Sequence, residues 1–294
     1  MKRRTFTKLS GLSVVAITTS GFIRFNGKSY IGNCETTTDI LGPFYRPDSP
    51  ERSNLVIADM PGDIIELLGV VRHKDCQTPY ENAKVELWHC SSDEKYDNYS
   101  DEYRYRGTTF CDENGSYKFR TQMPVPYGVG GDIIRPAHFH LMFSAKGYQS
   151  LITQIYFSGD SYLDVDIASS SIEGKLRTLD IIEEDGIKKV IFNCNMNDRL
   201  KASFTSIHKI IGKYKNDTTG KIVEYFEDDG LLWEKNEVFG RCYEYIGDNQ
   251  FEYGGMYNGH YQRLHFDLQK DTVKLQFKTL YEAGKEIQVS FTKI

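Results

Sequence analysis

The sequence predicts an all-β protein in which an antiparallel β-sandwich is followed by a small β-meander or barrel-like domain. Short runs of alternating apolar and polar residues recur along the chain, and turn sequences separate them. Such alternation is typical of strands with one buried face. The chain also contains 20 Tyr, 17 Phe and 25 Gly, residues that favour strands and turns over helix bundles. With 39% hydrophobic and 26% charged residues among its 294, it has the composition of a folded protein.

The N-terminal segment 1–26 is predicted to be an export signal. Residues 2–8 read KRRTFTK, residues 9–23 are weakly apolar, and no acidic residue occurs before Glu35. A basic head followed by a short apolar segment is typical of a secretory signal, and the pair Arg3-Arg4 favours the twin-arginine type. The alternatives are an ordinary secretory signal or a basic start without meaning. We expect a periplasmic or extracellular protein.

Charge and hydropathy argue against two broad classes of protein. The net charge is −5, and no basic block lies outside the N-terminus, so nucleic-acid binding is not expected. The mean hydropathy is −0.49, and no apolar run reaches the roughly 20 residues that a membrane-spanning helix requires. We therefore expect neither a nucleic-acid-binding nor a membrane-spanning protein.

The cysteines form an even set in a chain that is expected to leave the cytoplasm, where disulfides persist. None shows the C-x-x-C spacing of a zinc or thioredoxin-type site. Their pairing cannot be assigned from the sequence and stays open for Cys34, Cys76, Cys90, Cys111, Cys194 and Cys242.

Residues 27–200 are predicted to form the β-sandwich. Five alternating runs indicate antiparallel strands: 64–72, 83–90, 115–121, 137–145 and 151–157. Two inserts interrupt them. The insert 91–110 carries four tyrosines, and the insert 122–136 is rich in Pro and Gly. Long loops on a compact sandwich are the expected place for function.

Residues 204–294 are predicted to form the separate small β-domain. Strand-like runs cover 221–228, 240–247, 261–268, 272–280 and 286–294, with turn sequences after 228 and at 247–249. This domain could bind a polymer or a cell surface, or it could only cover a sheet edge, and we favour the second role. Structural or solvent-facing roles are expected for His208, His260 and His265.

A candidate metal site lies between residues 96 and 140. His138 and His140 are two apart in a predicted strand, so both imidazoles face the same side. Tyr96 and Tyr127 lie in the two long inserts. Two imidazoles with two phenolates form a mixed nitrogen and oxygen donor set, which favours a hard trivalent iron over zinc or copper.

An ordered set of motifs then identifies a family. Between about residues 42 and 195 the chain resembles the intradiol ring-cleavage dioxygenases, the family of catechol and protocatechuate dioxygenases. The motifs are GPFYRP (42–47), AKVELWHC (83–90), Arg106-Gly107, DENGSYKFRT (112–121), PVPY (124–127), RPAHFH (135–140) and LITQIYFSGD (151–160).

The resemblance implies a β-sandwich with one non-haem Fe(III) per chain, and it implies the residues of the site. The iron ligands would be Tyr96, Tyr127, His138 and His140. Tyr127 would be the ligand that leaves the iron when substrate chelates, and it could then accept a proton. Arg135 would lie beside the substrate ring, and Gln154 would be a polar neighbour of the oxygen site. Tyr99, Tyr103 and Tyr105 are expected only to pack or to line a pocket.

The implied reaction inserts both atoms of O2 into a catechol-type diol and opens the ring between its two hydroxyl-bearing carbons, giving a cis,cis-muconate-type diacid. The long helical segment that precedes this region in catechol 1,2-dioxygenases is absent, so homo-oligomerisation and the substrate stay open. Two alternatives are an exported β-sandwich binding module that has lost catalysis and a copper or zinc enzyme, although two tyrosinates suit neither of those metals well.

Overall fold

The computed structural model describes residues 23–25, 30–32, 34–235, 241–256, 260–269, 272–280 and 285–294. Most of the predicted export signal, residues 1–22, lies outside the described residues. The described chain forms a β-sandwich and a closed eight-stranded antiparallel barrel, so the predicted fold class is confirmed. Within these residues, the helices are too short or too polar to cross a membrane.

The first region contains short N-terminal strands, the sandwich strands and one short helix. In chain order these are β1 (Ile23–Phe25), β2 (Tyr30–Gly32), β3 (Ile64–Arg72), β4 (Lys84–Trp88), β5 (Arg106–Phe110), β6 (Ser116–Gln122), β7 (Tyr127–Gly130), β8 (Ile133–Arg135), β9 (His138–Ser144), β10 (Leu151–Phe157), α1 (Ile172–Leu176), β11 (Thr178–Leu179), β12 (Ile182–Glu184), β13 (Ile187–Ile191) and β14 (Cys194–Asn195).

Two sheets of the sandwich pack against each other. One has the strand order β11-β10-β9-β4-β5, and the other has the order β12-β13-β3-β14, with β6 paired to β3. Their facing side chains form one buried core that includes Leu67, Val85, Phe119, Leu141 and Ile155. Five predicted strands are therefore present, but part of the insert 91–110 is also a strand. Residues 106–110 form β5, because they pair with β4 along its whole length.

Strands β9 and β10 are buried on both faces. Because side chains alternate along a strand, Phe139 and Phe143 enter the sandwich core, whereas His138 and His140 point to the opposite side. The same sheet is covered on that opposite side by the barrel and by the segment before β3. A strand that is buried on both faces can carry core residues and site residues in alternation.

The second region begins with the helix α2 (Phe204–Ile210), which the sequence pattern did not predict. The barrel strands that follow are β15 (Gly212–Asn216), β16 (Ile222–Asp228), β17 (Leu231–Glu234), β18 (Arg241–Gly247), β19 (Gln250–Tyr253), β20 (Tyr261–Asp267), β21 (Lys274–Leu280) and β22 (Glu286–Lys293). Pairing of β15 with β22 closes the barrel. Aromatic and leucine side chains fill its interior, among them Tyr214, Tyr225, Tyr243, Phe251 and Phe266.

Two hairpins of the barrel use the predicted turn sequences. Asp229 and Gly230 connect β16 to β17 with φ angles of +47° and +81°, and Asp248 and Asn249 connect β18 to β19 with φ angles of +48° and +56°. Two successive residues with positive φ match the twist of a two-residue hairpin, and Asp, Asn and Gly adopt this conformation most readily.

One disulfide is present among the described cysteines. Cys34 is bonded to Cys76, which is 42 residues further along the chain. The thiols of Cys90, Cys111, Cys194 and Cys242 are free and buried. The disulfide fastens the segment before the sandwich to the loop that follows β3.

Candidate active site

Four predicted ligand side chains meet at one edge of the sandwich. Tyr96 comes from the loop between β4 and β5, Tyr127 begins β7, and His138 and His140 lie on β9. The Tyr96 Oη atom is 3.4 Å from Tyr127 Oη and 3.4 Å from His138 Nε2. The Nε2 atoms of the two histidines are 3.2 Å apart. Two phenol oxygens and two imidazole nitrogens therefore face one another.

Strand pairing fixes the positions of three of these side chains. Tyr127 lies opposite Arg135 in the β7–β8 hairpin. On β9, His138 lies opposite Tyr156 of β10. His140 lies between Gln154 of β10 and Trp88 of β4. The site is thus built on rigid strands, with Tyr96 as the side chain that a loop contributes.

Local contacts orient the imidazole rings. His138 Nδ1 is 2.6 Å from the carbonyl oxygen of Pro136. Because a carbonyl oxygen only accepts hydrogen bonds, Nδ1 carries the proton and Nε2 presents its lone pair to the site. His140 stacks on Trp88, with ring centroids 5.0 Å apart and an interplanar angle of 9°. Phe44 stacks on Tyr96 in the same way, at 4.4 Å.

Burial keeps all four side chains neutral in the metal-free protein. It lowers the pKa of His138 well below its usual value, and the nearby Arg135 charge adds to this effect. Burial, followed by the neighbouring His138, lowers the pKa of His140 in the same direction. The phenol pKa values of Tyr96 and Tyr127 are raised, again mainly by burial. Neutral imidazoles are ready to bind a metal, whereas the phenols would lose their protons to one.

The donor set suits a hard cation of high charge. Among the described residues, no three or more His, Cys, Asp or Glu side chains are grouped closely enough to hold a metal ion. The site has two residues of those types, so a metal here needs phenolate oxygens as its other ligands. Phenolate is an anionic oxygen donor, and together with imidazole it fits a trivalent transition metal better than zinc.

A buried network holds the Arg135 guanidinium beside these side chains. Its Nε donates to Asp166 Oδ1 at 3.0 Å. Its Nη2 donates to Gln154 Oε1 at 3.0 Å and is 3.3 Å from the Tyr156 hydroxyl. Burial alone would lower the Arg135 pKa, but the neighbouring Tyr156 and Asp166 raise it well above its usual value. The guanidinium is therefore fixed and charged. The structure thus brings together the predicted residues Arg135 and Gln154.

The amide of Gln154 is also fixed. Its Nε2 donates to the carbonyl oxygen of Ile40 at 2.8 Å, so its Oε1 faces Arg135. Tyr156 donates to Asp39 at 2.9 Å, and Arg177 donates to the same carboxylate oxygen at 2.7 Å. The segment that begins at Asp39 is thereby tied to the network around the guanidinium.

Several residues of this network were not predicted from the sequence. Tyr156 could have been found, because it is two residues after Gln154 on a strand and shares its face. Asp166 carried no signal, since it reaches Arg135 only through the turns that follow β10. Trp88 is buried and stacks on His140. Its position opposite His140 depends on how β4 pairs with β9.

The other aromatic residues near the site have structural surroundings. His89 is buried, with Nδ1 2.7 Å from the Cys90 carbonyl oxygen and Nε2 2.8 Å from Thr121 Oγ1. Tyr103 lies under the Arg46 guanidinium, 4.0 Å from ring centroid to Cζ. Tyr105 is buried, whereas Tyr99 is 75% exposed.

The region that contains these residues is similar to known proteins. The sequence profile of a family described as Dioxygenase matches residues 40–198, which contain all four converging side chains. A chlorocatechol 1,2-dioxygenase from Rhodococcus opacus is 35% identical over an alignment of 174 residues, and the match covers 51% of this chain and 67% of the relative. The chain belongs to the intradiol ring-cleavage dioxygenase family.

Other relatives of the intradiol dioxygenase carry related names. A hydroxyquinol 1,2-dioxygenase from Corynebacterium glutamicum is 31% identical over an alignment of 182 residues, and the match covers 56% of this chain and 58% of the relative. The solved structure of catechol 1,2-dioxygenase from Acinetobacter radioresistens is similar with a TM-score of 0.51 and 26% identity, covering 56% of this chain and 63% of that one. Enzymes of this family are generally iron-dependent. The matched region ends before the barrel.

Proposed function

We propose that this intradiol dioxygenase binds one non-haem Fe(III) per chain and cleaves a catechol-type diol with O2 to a cis,cis-muconate-type diacid. The observation that carries the proposal is the convergence of Tyr96, Tyr127, His138 and His140, whose donor atoms lie 3.2–3.4 Å from their neighbours. The names of the relatives support a catechol-type substrate.

The iron would be held by these four side chains. When bound, it would withdraw electron density from the diol, so that the ring itself becomes reactive towards O2. The protein contributes a dry and rigid surrounding. His138 and His140 are each 1% exposed and Tyr127 is 6% exposed, and bulk water is therefore excluded from the reacting atoms.

Tyr127 is proposed to move a substrate proton. Burial raises the pKa of Tyr127, so its phenolate form is a stronger base than a phenolate exposed to water. Tyr127 Oη lies next to Tyr96 Oη, which places it within the group of donor atoms that the diol would approach. It can take one of the two diol protons there.

Arg135 is proposed to stabilise negative charge on the ring. Its guanidinium is fixed by Asp166 and Gln154, and such preorganised charge costs no reorganisation when carbanion-like character develops. The charge also lies close enough to lower the pKa of His138. Gln154 positions the guanidinium and connects it to the backbone at Ile40.

The cations of the segments 42–55 and 91–110 favour a diol without a carboxylate group. These segments contain Phe44 and Tyr96, whose rings stack at the site. Each of these cations already contacts a protein acceptor. Arg46 contacts Asp97 and Ser100, and Arg52 contacts Glu102. Lys95 contacts Asp93, Arg104 contacts Glu102, and Arg106 contacts Asp97. A substrate carboxylate would have to compete with these contacts. We propose that catechol is turned over with a higher kcat/KM than protocatechuate.

The test uses the full-length protein loaded with iron. We expect about one iron per chain, a visible tyrosinate-to-iron absorption band, and a shift of that band when catechol is added without oxygen. Oxygen uptake with catechol, chlorocatechol, hydroxyquinol and protocatechuate then ranks the substrates, and the ultraviolet spectrum of the product identifies the diacid.

A pair of tyrosine variants from one loop provides the control. Tyr96→Phe removes a proposed ligand, whereas Tyr99→Phe alters a side chain that is 75% exposed. Only the first should weaken the band and the turnover. A wild-type protein that stays colourless after iron loading would instead support a binding module that has lost catalysis.

We also propose that the protein is exported through a twin-arginine signal to the periplasm or beyond. The basic residues 2–8 support this, as does the disulfide between Cys34 and Cys76, because disulfides persist in oxidising compartments. In a bacterial host, changing Arg3-Arg4 to Lys-Lys should retain the protein in the cytoplasm. Unchanged export of that variant would argue for an ordinary secretory signal.

A further inference from the structure

The C-terminal barrel contacts the segment that covers the candidate active site. Leu231, Trp233 and Cys242 of the barrel share one buried apolar cluster with Leu41, Tyr45, Trp88, Met142 and Ile152 of the first region. We propose that the barrel is part of the catalytic unit, and that Tyr253 is a positioning residue that holds His140 in place through Gly42. This inference goes beyond the proposed function, and only one part of its test rests on that function.

The first link is a hydrogen bond between the two regions. The backbone N–H of Gly42 donates to the Tyr253 hydroxyl at 3.1 Å, across 211 residues of sequence. Gly42 is buried, and a buried amide that loses its acceptor is costly. Tyr253 therefore fixes the position of the Gly42 backbone relative to the sheet.

Gly42 in turn touches a proposed metal ligand. Its φ angle is +74°, and a Cβ atom at this position would lie 3.0 Å from His140 Cε1. The backbone of Gly42 thus forms one wall against the imidazole, and Trp88 stacks on the ring as well. A displacement of Gly42 would therefore change the packing against the His140 ring.

A second link runs through aromatic rings. Trp233 of the barrel is 5.4 Å from Tyr45 between ring centroids, and Tyr45 is 5.1 Å from Trp88. Trp88 is the ring that stacks on His140. Close packing of this kind transmits displacements, because interiors contain few voids. Both links lead from the barrel to the same imidazole.

The barrel packs closely against the segment 39–45. A Cβ atom on Gly255 would lie 2.1 Å from the carbonyl carbon of Asp39, so only glycine permits this approach. At the other side of the contact, the N–H of Ser150 donates to the carbonyl oxygen of Asp229 at 3.0 Å. The contact therefore includes backbone of both regions, which a loosely tethered binding module would not require.

The test compares two tyrosine variants of the full-length, metal-free protein. Tyr253→Phe keeps the ring and removes the acceptor for Gly42. Tyr214→Phe is the matched control, since it removes one hydroxyl that donates to the Ile210 carbonyl oxygen at 2.6 Å inside the barrel, away from the segment. The readout is the NMR signal of the His140 Cε1–H group, assigned among the seven histidines by its loss in His140→Gln.

We expect Tyr253→Phe to shift and broaden the His140 signal, and Tyr214→Phe to leave it in place. Amide hydrogen exchange of the segment 39–45 should be about fivefold faster in Tyr253→Phe, as expected for the loss of one hydrogen bond. An unchanged His140 signal in Tyr253→Phe, or the same change in both variants, would overturn the proposal, because the barrel would then contribute stability only.

The same variants loaded with iron extend the test. Release of Fe(III) to a chelator should be about fivefold faster from Tyr253→Phe than from Tyr214→Phe, in proportion to the lost hydrogen bond. Equal release rates would overturn the positioning role. A wild-type protein that takes up no iron would reject the proposed function, and the metal-free NMR comparison would still decide the role of Tyr253.

Discussion

The sandwich and the barrel use the same strand periodicity for different purposes. In the barrel, the inward side chains fill the interior, and their hydroxyls have nearby partners, such as Ile210 for Tyr214 and Glu234 for Tyr243. In the sandwich, β9 and β10 are buried on both faces, and the second face carries imidazole, amide and phenol groups. A closed barrel has one interior, whereas a covered sheet has a second buried face that can be used for chemistry.

The two regions also differ in buried charge. Among the described barrel residues, the buried polar side chains outside the tyrosines are Asn216 and Thr279, and neither is charged. The sandwich buries Arg135 against Asp166 and Arg177 against Asp39. Buried ion pairs contribute little to stability on average, but these two fix the positions of the Arg135 and Arg177 side chains. The barrel, without such charges, serves as a support.

The largest effect should come from removing a proposed ligand. His140→Ala should lower iron occupancy and reduce turnover by more than about 100-fold, because even changes in the groups around metal ligands cost 10–100-fold. The measurement is metal content together with oxygen uptake. His265→Ala, which changes an exposed histidine of the barrel, is the control and should keep both. Full iron occupancy and turnover in His140→Ala would refute the site.

Removing the disulfide should affect the stability of the sandwich. The double variant Cys34→Ser and Cys76→Ser opens a loop with a sequence separation of 42 residues, for which chain entropy predicts a loss of about 4 kcal/mol in the free energy of unfolding. Urea unfolding measures it. A reducing agent should lower the free energy of unfolding of the wild type to that of the variant. It should not change the free energy of unfolding of the variant. A variant as stable as the oxidised wild type would show that the disulfide is not structural.

Mild acid should destabilise the sandwich through His89. Burial lowers the pKa of His89 to about 4 in the folded protein, whereas an unfolded histidine has a pKa of about 6.5. Between these values the unfolded chain binds a proton that the folded chain does not, so the free energy of unfolding falls as the pH falls through this window. The full difference between the two pKa values corresponds to a loss on the order of 3 kcal/mol in the free energy of unfolding.

The measurement is urea unfolding of the metal-free protein between pH 7 and pH 4. His89→Gln should show a shallower loss of stability, because glutamine can donate to Cys90 and accept from Thr121 without titrating. Equal slopes for the wild type and His89→Gln would contradict the assignment.

A smaller effect is expected when the guanidinium fork is replaced. Arg135→Lys keeps the positive charge but loses the paired contacts to Asp166 and Gln154, and lysine cannot reproduce that planar geometry. We expect kcat to fall by about tenfold, below the 10²–10³ typical when a stabilising donor is deleted outright, while iron content stays the same. Arg199→Lys, at the ion pair with Glu244, is the control. Loss of iron in Arg135→Lys would indicate a structural role instead.

Much of the sandwich could be predicted because its signals are local. The bounds of β3 and β10 agree with the alternating runs 64–72 and 151–157, and the common face of His138 and His140 follows from their spacing. The strand β5 was missed because it is short and follows a loop rich in tyrosine. Helix α2 was missed because its seven residues show too little of a helical pattern. Both depend on neighbours for their stability.

The sequence by itself determined the strand pattern, the pair of histidines on one face and the ordered motifs that mark the family. Only the tertiary structure decided that Tyr96 comes within 3.4 Å of residues 31 and 42 positions away, that Asp166 fixes Arg135, and that Tyr253 reaches Gly42 across 211 residues. The physical reason is that side-chain alternation is set by each strand alone, whereas these approaches depend on how loops close and how two buried surfaces fit together.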